Sequence, residues 1–218
     1  AFRDCKSLTT INIPDSVTNI GSSAFRDCKS LTTINIPDSV TSIGNSAFCD
    51  CNSLSSVKIP YSVRNIGNET FKNCYSLISV SIPDNVTSIG DGAFEGDYNL
   101  TSINIPNSVT SIGRRAFYWC SQLTRVIIPY GITSIEDYTF CRSGLTNVNI
   151  PNSVTSIGDS AFSFGESLSS VSMPNSVTSI GNNAFEYCNV LISVSIPDNV
   201  TSIGDGAFYY CNNLKWVL

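Results

Sequence analysis

A repeat of 23 residues runs through the whole chain and limits the folds that it can adopt. Residues 24–46 show it clearly, AFRDCKSLTTINIPDSVTSIGNS. An Ala-Phe or Thr-Phe pair marks each copy, at Phe2, Phe25, Phe48, Phe71, Phe94, Phe117, Phe140, Phe162, Phe185 and Phe208. Eight of the nine spacings are 23 residues, and the step from Phe140 to Phe162 is 22. Periods in the twenties indicate a solenoid in which each unit contacts chiefly its neighbours.

Each unit carries the same apolar frame and the same turn residues. In the clearest copy the frame consists of Leu31, Ile34, Ile36, Val40, Ile43 and the following Phe48. Because Ile34 and Ile36 alternate with polar residues, residues 32–36 are predicted to form a short strand. Pro37 lacks a backbone N–H and should end that strand at a turn. Residues 45–51 are predicted to make a short helical or 3₁₀ turn.

We find no linker or break in composition, so residues 1–218 are interpreted as a single domain. It contains nine full units and a C-terminal half unit. The first two units are nearly identical, which indicates growth of the array by duplication. Since the chain begins midway through a unit, it is interpreted as an excerpt of a longer protein.

The recurring pattern LxxIxIPxxVxxIGxxAFxxCxx resembles the BspA-type leucine-rich repeat, which occurs in bacterial and protist surface proteins. The resemblance covers essentially the whole chain. It implies a leucine-rich repeat solenoid with short parallel strands on one face and turns on the other. It also implies a cell-surface or extracellular location. Several members of the family are adhesins, so the implied partner is a protein or glycan on another cell or in the matrix.

Composition argues against several other classes of function. The net charge is −5 and the pI is about 4.6, whereas nucleic-acid binding requires a basic surface. No apolar run approaches the roughly 18 residues of a membrane span, so membrane insertion is not expected. The chain has no histidine, which excludes Ser-His-Asp and Cys-His catalysis. With neither paired carboxylates around a cleft nor a phosphate loop, we expect no enzyme activity and no cofactor.

The nine cysteines follow the repeat. Seven lie three residues after the repeat phenylalanine, namely Cys5, Cys28, Cys51, Cys74, Cys120, Cys188 and Cys211. Buried free thiols are the favoured interpretation, because Asp97 and Gly165 replace cysteine at this position in two units. Disulfides between stacked neighbours are the alternative. A metal site is disfavoured because histidine and a CxxC motif are both absent.

The middle of the array departs from the repeat. Glu136 replaces the recurrent glycine, which predicts a strained turn and a kink. Arginine, tyrosine and tryptophan, which are enriched at binding hot spots, also cluster here. A contact patch for a protein is therefore predicted at Arg114, Arg115, Tyr118, Trp119, Arg125 and Tyr138, with Tyr130 and Arg142 nearby. Arg115 and Tyr138 share one repeat position and should be stacked neighbours. The alternative is neutral drift of a solvated loop row.

A second candidate surface is the outward face of the predicted strands. It carries Thr10, Asn12, Thr33, Asn35, Ser56, Lys58, Ser79, Ser81, Ser102, Asn104, Arg125, Ile127, Asn147, Asn149, Ser170, Ser172, Ser193 and Ser195. Such rows suit a glycan or an extended peptide held by many weak hydrogen bonds. They equally suit solubility alone, and the threonines are too irregular to favour ice binding.

Three hypotheses for function remain at this stage, the third being ice or mineral binding, which a thermal-hysteresis assay would test. The first is a non-catalytic surface binding module, adhesin-like, that recognises a host or matrix protein or a glycan. The alternative is a structural spacer without a ligand of its own. Such a spacer could self-associate end to end, because neither the start at Ala1 nor residues 214–218 provide a polar cap.

Overall fold

The computed structural model describes residues 2–217 and is a solenoid in which each repeat makes one coil. Two rows of short parallel strands run along it. Row one lies at the predicted strand position and contains β3 (Ser56–Lys58), β5 (Ser79–Ser81), β9 (Asn147–Asn149), β11 (Ser170–Ser172), β13 (Ser193–Val194) and β15 (Trp216–Val217). Row two contains β1 (Asn19–Ile20), β2 (Ser42–Ile43), β4 (Asn65–Ile66), β6 (Ser88–Ile89), β7 (Ser111–Ile112), β8 (Ser134–Ile135), β10 (Ser156–Ile157), β12 (Ser179–Ile180) and β14 (Ser202–Ile203).

Within each row, equivalent residues of successive units pair with each other. In row one β3 pairs with β5, and β9, β11, β13 and β15 form a second sheet. Row two consists of the sheets β1-β2, β4-β6-β7 and β8-β10-β12-β14. The solenoid of parallel strands predicted from the repeat is therefore confirmed.

Two details of the predicted unit differ from the structure. Residues 32–36 form no strand, and only Asn35 makes an isolated bridge, to Asn12. The predicted alternation becomes a three-residue strand in other units, such as Ser56–Lys58. Row two was missed, because strands of two residues are too short to show any periodicity.

The proline turns have the predicted position. The backbone N–H of Val40 donates to the carbonyl of Pro37 at 3.0 Å, and every other proline accepts the same bond from the residue three positions on. Proline is the first residue of each such turn, and because it has no backbone N–H to donate, it also ends the strand there. The turn brings Val40 back into the core, where it is fully buried.

A continuous stack of phenylalanine rings forms the spine of the core. The ten repeat phenylalanines lie with neighbouring centroids 5.3–5.6 Å apart and ring planes within 12° of parallel. From Phe48 to Phe185 these side chains are at most 1% exposed. Since each ring is covered by those of its two neighbours, burial depends on stacking of the units.

The predicted helical or 3₁₀ turn is wrong, since the described residues contain no helix. Consecutive turns surround each phenylalanine instead, because two residues per unit have left-handed backbone. The upstream left-handed row lies two residues before each phenylalanine and contains Ser23, Ser46, Glu69, Gly92, Arg115, Tyr138, Ser160, Asn183 and Gly206. The downstream left-handed row lies two residues after it and contains Asp4, Asp27, Asp50, Asn73, Gly96, Trp119, Arg142, Phe164, Tyr187 and Tyr210.

The 22-residue unit stays in register with its neighbours. Phe140 and Phe162 are 5.5 Å apart like the other pairs, so the missing residue is absorbed in the loop before Leu145. There the N–H of Gly144 bonds directly to the carbonyl of Cys120 in the preceding coil. A Cβ on Gly144 would lie 2.2 Å from the carbonyl oxygen of Ser121, so only glycine fits this shortened loop.

Candidate functional site

An open groove of about 600 Å³ crosses the turn edge in the middle of the array. We call it the Gly92 groove. Its lining is mostly polar and charged, and consists of Asn45, Ser46, Asn68, Glu69, Lys72, Asp91, Gly92, Glu95, Arg114, Arg115 and Tyr138. The groove thus contains three of the six residues predicted for the contact patch.

Gly92 opens the groove because it has no side chain in the upstream left-handed row. Its φ is +59°, and it lies between Glu69 and Arg115, the residues at the same position in the neighbouring units. A Cβ at this position would lie 3.1 Å from Oε2 of Glu95 and 3.6 Å from Cγ of Glu69. The missing side chain therefore leaves a gap between an acidic wall and an arginine.

The acidic wall is held together by one lysine. The Lys72 ammonium lies 3.1 Å from Oε1 of Glu95 and 3.4 Å from Oε1 of Glu69. Ser46 donates its hydroxyl to Oε2 of Glu69 at 3.1 Å. Burial of Lys72 lowers its pKa, but the bonds and charges of Glu95 and Glu69 outweigh this effect and the pKa is raised. The lysine therefore remains charged and keeps both carboxylates in place.

The opposite wall carries Arg115, whose guanidinium lies on aromatic rings. Its Cζ is 5.2 Å from the ring centroid of Tyr138 and 5.8 Å from that of Tyr118, and these two rings meet edge to face. The stacking of Arg115 and Tyr138 follows the predicted register. Among the described residues no carboxylate lies within ion-pair distance of Arg115. Its charge is therefore available to a ligand.

A ladder of Asn and Asp side chains runs along the turn edge, and its members Asn45, Asn68 and Asp91 form the floor of the groove. Each one accepts, through Oδ1, a hydrogen bond of 2.7–3.0 Å from the backbone N–H of the equivalent residue one coil on. The acceptors are Asn45, Asn68, Asp91, Asp137, Asp159 and Asn182. The ladder is interrupted at Arg114, which has no such acceptor and forms an ion pair with Asp137 instead.

This ladder corrects the prediction that Glu136 strains its turn. Neither Glu136 nor the glycines at its repeat position have positive φ. Glycine is required for space, because a Cβ on Gly113 would lie 2.4 Å from Oδ1 of Asp91 and 2.6 Å from its backbone nitrogen. In the coil before Glu136 the ladder position is occupied by Arg114, which has no Oδ1 to meet the Glu136 side chain. The strands β7 and β8 of row two are not paired at this point, which gives the Glu136 side chain room. Row two is also unpaired between β2 and β4, where the equivalent residue is an ordinary glycine.

An aromatic row continues from the groove toward the C-terminus. Arg142 lies between Trp119 and Phe164, with Cζ 4.9 Å and 3.9 Å from their ring centroids. Tyr187 then stacks on Phe164 and on Tyr210, each at 4.7 Å. The sequence analysis missed Phe164, Tyr187 and Tyr210. A signal was present, since the same position holds only Asp, Asn or Gly in the first five units, the residues that favour left-handed backbone.

The structure brings together five of the six predicted patch residues. Arg114 and Arg115 line the Gly92 groove, and Tyr118 joins Tyr138 to Trp119 through edge-to-face contacts of 6.4 Å on both sides. Arg125 does not join them. It lies in row one, where it bridges Ser102 and lines a separate, smaller groove that also contains Tyr130. The six residues of the predicted contact patch therefore lie on two separate surfaces, the turn edge and row one.

The outward face of row one is as polar and exposed as predicted. All 18 side chains assigned to it are exposed. Ile127 is its apolar exception and is 59% exposed. This face has two exposed residues in each unit and follows the length of the solenoid, so it remains a second candidate surface for contact with a partner.

The cysteines are free thiols, seven of which are buried. Six repeat-position thiols donate to the carbonyl of the phenylalanine in the preceding coil at 3.1–3.4 Å, from Cys28, Cys51, Cys74, Cys120, Cys188 and Cys211. Burial raises the pKa of Cys141 to about 11. Burial, a hydrogen bond with Asp50 and that residue's charge raise the pKa of Cys49 to about 12. The buried repeat-position thiols are part of the packed hydrophobic core.

The predicted association of uncapped ends stays a prediction. Ala1 and Leu218 lie outside the described residues. At the first coil Phe2 is 43% exposed, and an apolar groove of about 300 Å³ lies beside it, with Ile11, Val17 and Phe25 in its lining. Residues 2–217 contain no helix long and apolar enough to cross a membrane, and no cluster of three or more potential metal ligands.

Comparison with known proteins agrees with the architecture. The sequence matches the family described as BspA-type leucine-rich repeat region, in six copies over residues 1–122 and 87–215. The chain belongs to this family. A leucine-rich repeat protein from Bacteroides ovatus is similar in structure, with a TM-score of 0.85, 34% identity, and coverage of 95% of this chain and 62% of that one. This member of the family thus spans less than two thirds of that relative.

Two further solved structures are similar. A leucine-rich cell surface protein from Faecalibacterium prausnitzii has a TM-score of 0.58 and 32% identity, covering 96% of this chain and 72% of that one. A leucine-rich repeat protein from T. pallidum has a TM-score of 0.59 and 24% identity, covering 95% and 78% respectively, which shows a shared fold. A comparison with curated proteins found no match.

Proposed function

We propose that this BspA-type array is a non-catalytic binding module of a cell-surface protein. In this proposal the turn edge with the Gly92 groove and the aromatic row contacts a protein or glycan on a host cell or in the matrix. The family membership and the similarity to a leucine-rich cell surface protein support the location.

One observation carries the choice of this edge. Arg115, Trp119 and Tyr138 have φ of 57–62°, in rows where most other units place Ser, Asp, Asn or Gly. Left-handed backbone costs an ordinary residue roughly 1–2 kcal/mol. A loop row that drifts neutrally would tend to keep the residues that tolerate this backbone. Large side chains at strained positions point to a role in contact.

The repeat supplies substitutions that test this proposal without damaging the fold. Arg115→Ser, Trp119→Asp and Tyr138→Ser each introduce a residue that another unit already holds with the same backbone, as at Ser46, Asp27 and Ser160. Lys58→Ser is the matched change on the face of row one, where Ser81 occupies the neighbouring strand.

The experiment is a binding screen against matrix proteins and a glycan array. Binding by the native chain that is lost in the Arg115/Trp119/Tyr138 variant, but kept in Lys58→Ser, is the expected result. Loss in Lys58→Ser alone would move the function to row one. No binding by any form would favour the structural spacer, and sedimentation at rising concentration would then show whether copies associate.

A further inference from the structure

The charges in the Gly92 groove are arranged in an unusual way. One wall carries two arginines, of which Arg114 is paired with Asp137 and Arg115 has no acidic partner among the described residues. The other wall and the floor carry three carboxylates, from Glu69, Asp91 and Glu95. A ligand must satisfy one isolated cation and several acceptors at the same time.

We propose that the groove binds a glycan through a sugar ring that carries one carboxylate. This inference rests on the proposed binding function and specifies its ligand. The ring's carboxylate pairs with Arg115, whose planar guanidinium can donate two parallel hydrogen bonds. Tyr118 and Tyr138 hold the guanidinium by stacking, so less freedom is lost when the ligand binds.

The hydroxyl groups of the sugar match the rest of the groove. A hydroxyl both donates and accepts, so it can bond to the carboxylates of Glu69 and Glu95. The ladder occupies Oδ1 of Asn45 and Asn68, while the amide NH₂ group of each has no protein partner among the described residues. Both residues line the groove, so their amide NH₂ groups are free to donate to a ligand there. A small polyhydroxylated ring therefore finds both kinds of partner.

The same charges disfavour other anionic ligands. An acidic peptide or a sulfated glycan brings several negative groups, and only one cation in the groove is unpaired. The remaining charges would face Glu69, Asp91 and Glu95 and repel them. The volume of about 600 Å³ lies within the range of small-molecule sites, and the open shape lets the rest of a glycan extend out of it.

The test is a titration of the ¹⁵N-labelled chain followed by NMR. The probes are methyl β-D-glucuronide and the methyl glycoside of N-acetylneuraminic acid, each beside its own methyl ester, which lacks the charge. We expect at least one acidic sugar to shift the amide signals of Gly92, Arg114 and Arg115. Its methyl ester should bind with an affinity that is lower by roughly tenfold or more.

Two variants address the groove and one serves as a control. Arg115→Ser removes the cation, and Gly92→Ser fills the gap with a residue that Ser46 shows to be compatible with this backbone. Both should weaken binding by roughly tenfold or more. Arg64→Thr also removes an exposed arginine, but outside the groove and at a position that Thr87 occupies one coil on, and it should leave binding unchanged.

The inference is overturned if neither acidic sugar shifts these signals, if the esters bind equally well, or if Arg115→Ser keeps full affinity. A hexaglutamate peptide that shifts the same signals more strongly would assign the groove to acidic peptides instead. The broader binding function fails separately, when the screen of matrix proteins and glycans finds no ligand of any class.

Discussion

The side chain of Asp97 accepts a 2.8 Å hydrogen bond from the backbone N–H of Cys74, one coil away inside the core. Asp97 occupies a repeat position where seven units place cysteine, and it is fully buried. Its second carboxylate oxygen has no partner. Burial raises the pKa of Asp97 well above the usual value, although the bond from Cys74 opposes this effect. The carboxyl is thus an isolated acid within an otherwise uncharged row.

Replacing Asp97 by cysteine should stabilise the chain. The Cys74 N–H keeps a partner, because it also donates to the carbonyl of Phe71 at 3.1 Å. Relief of an unsatisfied buried polar group is worth about 1–3 kcal/mol, so the free energy of unfolding at pH 7 should rise by this order. Urea unfolding of the native chain and of Asp97→Cys measures the difference. Equal midpoints would contradict the expectation.

The gain from Asp97→Cys should depend on pH. In the unfolded chain Asp97 loses its proton near pH 4, whereas the folded chain keeps it to higher pH. The unfolded state therefore binds fewer protons over this window, and the native chain loses stability as pH rises above about 4. The advantage of the variant should be smaller at pH 4 than at pH 7. Unfolding curves at both values check the sign.

Thiol accessibility should separate the cysteines in a defined order. Cys5 is exposed and Cys211 is half-buried, while the other seven are buried. Ellman's reagent at pH 8 should modify Cys5 first and Cys211 more slowly, and all nine only after denaturation. Cys5→Ser should remove the fast phase. Rapid reaction of several thiols in the folded chain would show that the buried row opens readily.

Arg114 and Glu136 should be energetically coupled. Arg114→Asn introduces the ladder acceptor, but its Oδ1 would meet the Cβ of Glu136, as Asp91 would meet a Cβ on Gly113. With Glu136→Gly as well, the ladder can run unbroken. We expect the double variant to be more stable than the sum of the single changes by about 1 kcal/mol, the value of one hydrogen bond. A double-mutant cycle by urea unfolding gives this coupling, and additive effects would refute the ladder argument.

Glycines at equivalent positions should tolerate alanine differently. A Cβ on Gly21 meets nothing within 4 Å, because no described coil precedes it, whereas one on Gly113 meets Asp91. Gly21→Ala should change stability by less than about 0.5 kcal/mol, and Gly113→Ala should cost about 1–3 kcal/mol. Thermal unfolding of both variants provides the comparison. A similar loss in both would mean that backbone freedom, not space, selects glycine here.

Most of the architecture could be predicted from the sequence, because the same apolar and turn pattern recurs in all nine full units. The burial of Phe48, the turn at Pro37 and the stacking of Arg115 on Tyr138 all follow from the register alone. Short elements could not be predicted. A two-residue strand such as Ser42–Ile43 has no period, and its pairing depends on the neighbouring coil.

The candidate site was only partly accessible from the sequence. The arginine and aromatic residues of the site were visible in the sequence. The groove itself arises because Gly92 has no side chain, and a glycine in the sequence does not by itself indicate a groove. Glu136 was interpreted through backbone conformation, whereas the structure shows that contact with the preceding unit decides that position. Arg125 was grouped with the patch by proximity in the chain, although its bridge to Ser102 places it in row one.

The contact between each ladder side chain and the glycine of the next unit also governs how such arrays can change in evolution. A unit with Asn or Asp at the ladder position can be followed only by a unit that has glycine at the facing position, as Asp91 is followed by Gly113. The coil with Glu136 can follow only a coil that lacks this acceptor. Unequal crossing-over can therefore copy most units freely, but a gene product that separates Arg114 from Glu136 carries a clash at the new junction. The two residues should be inherited as a linked pair.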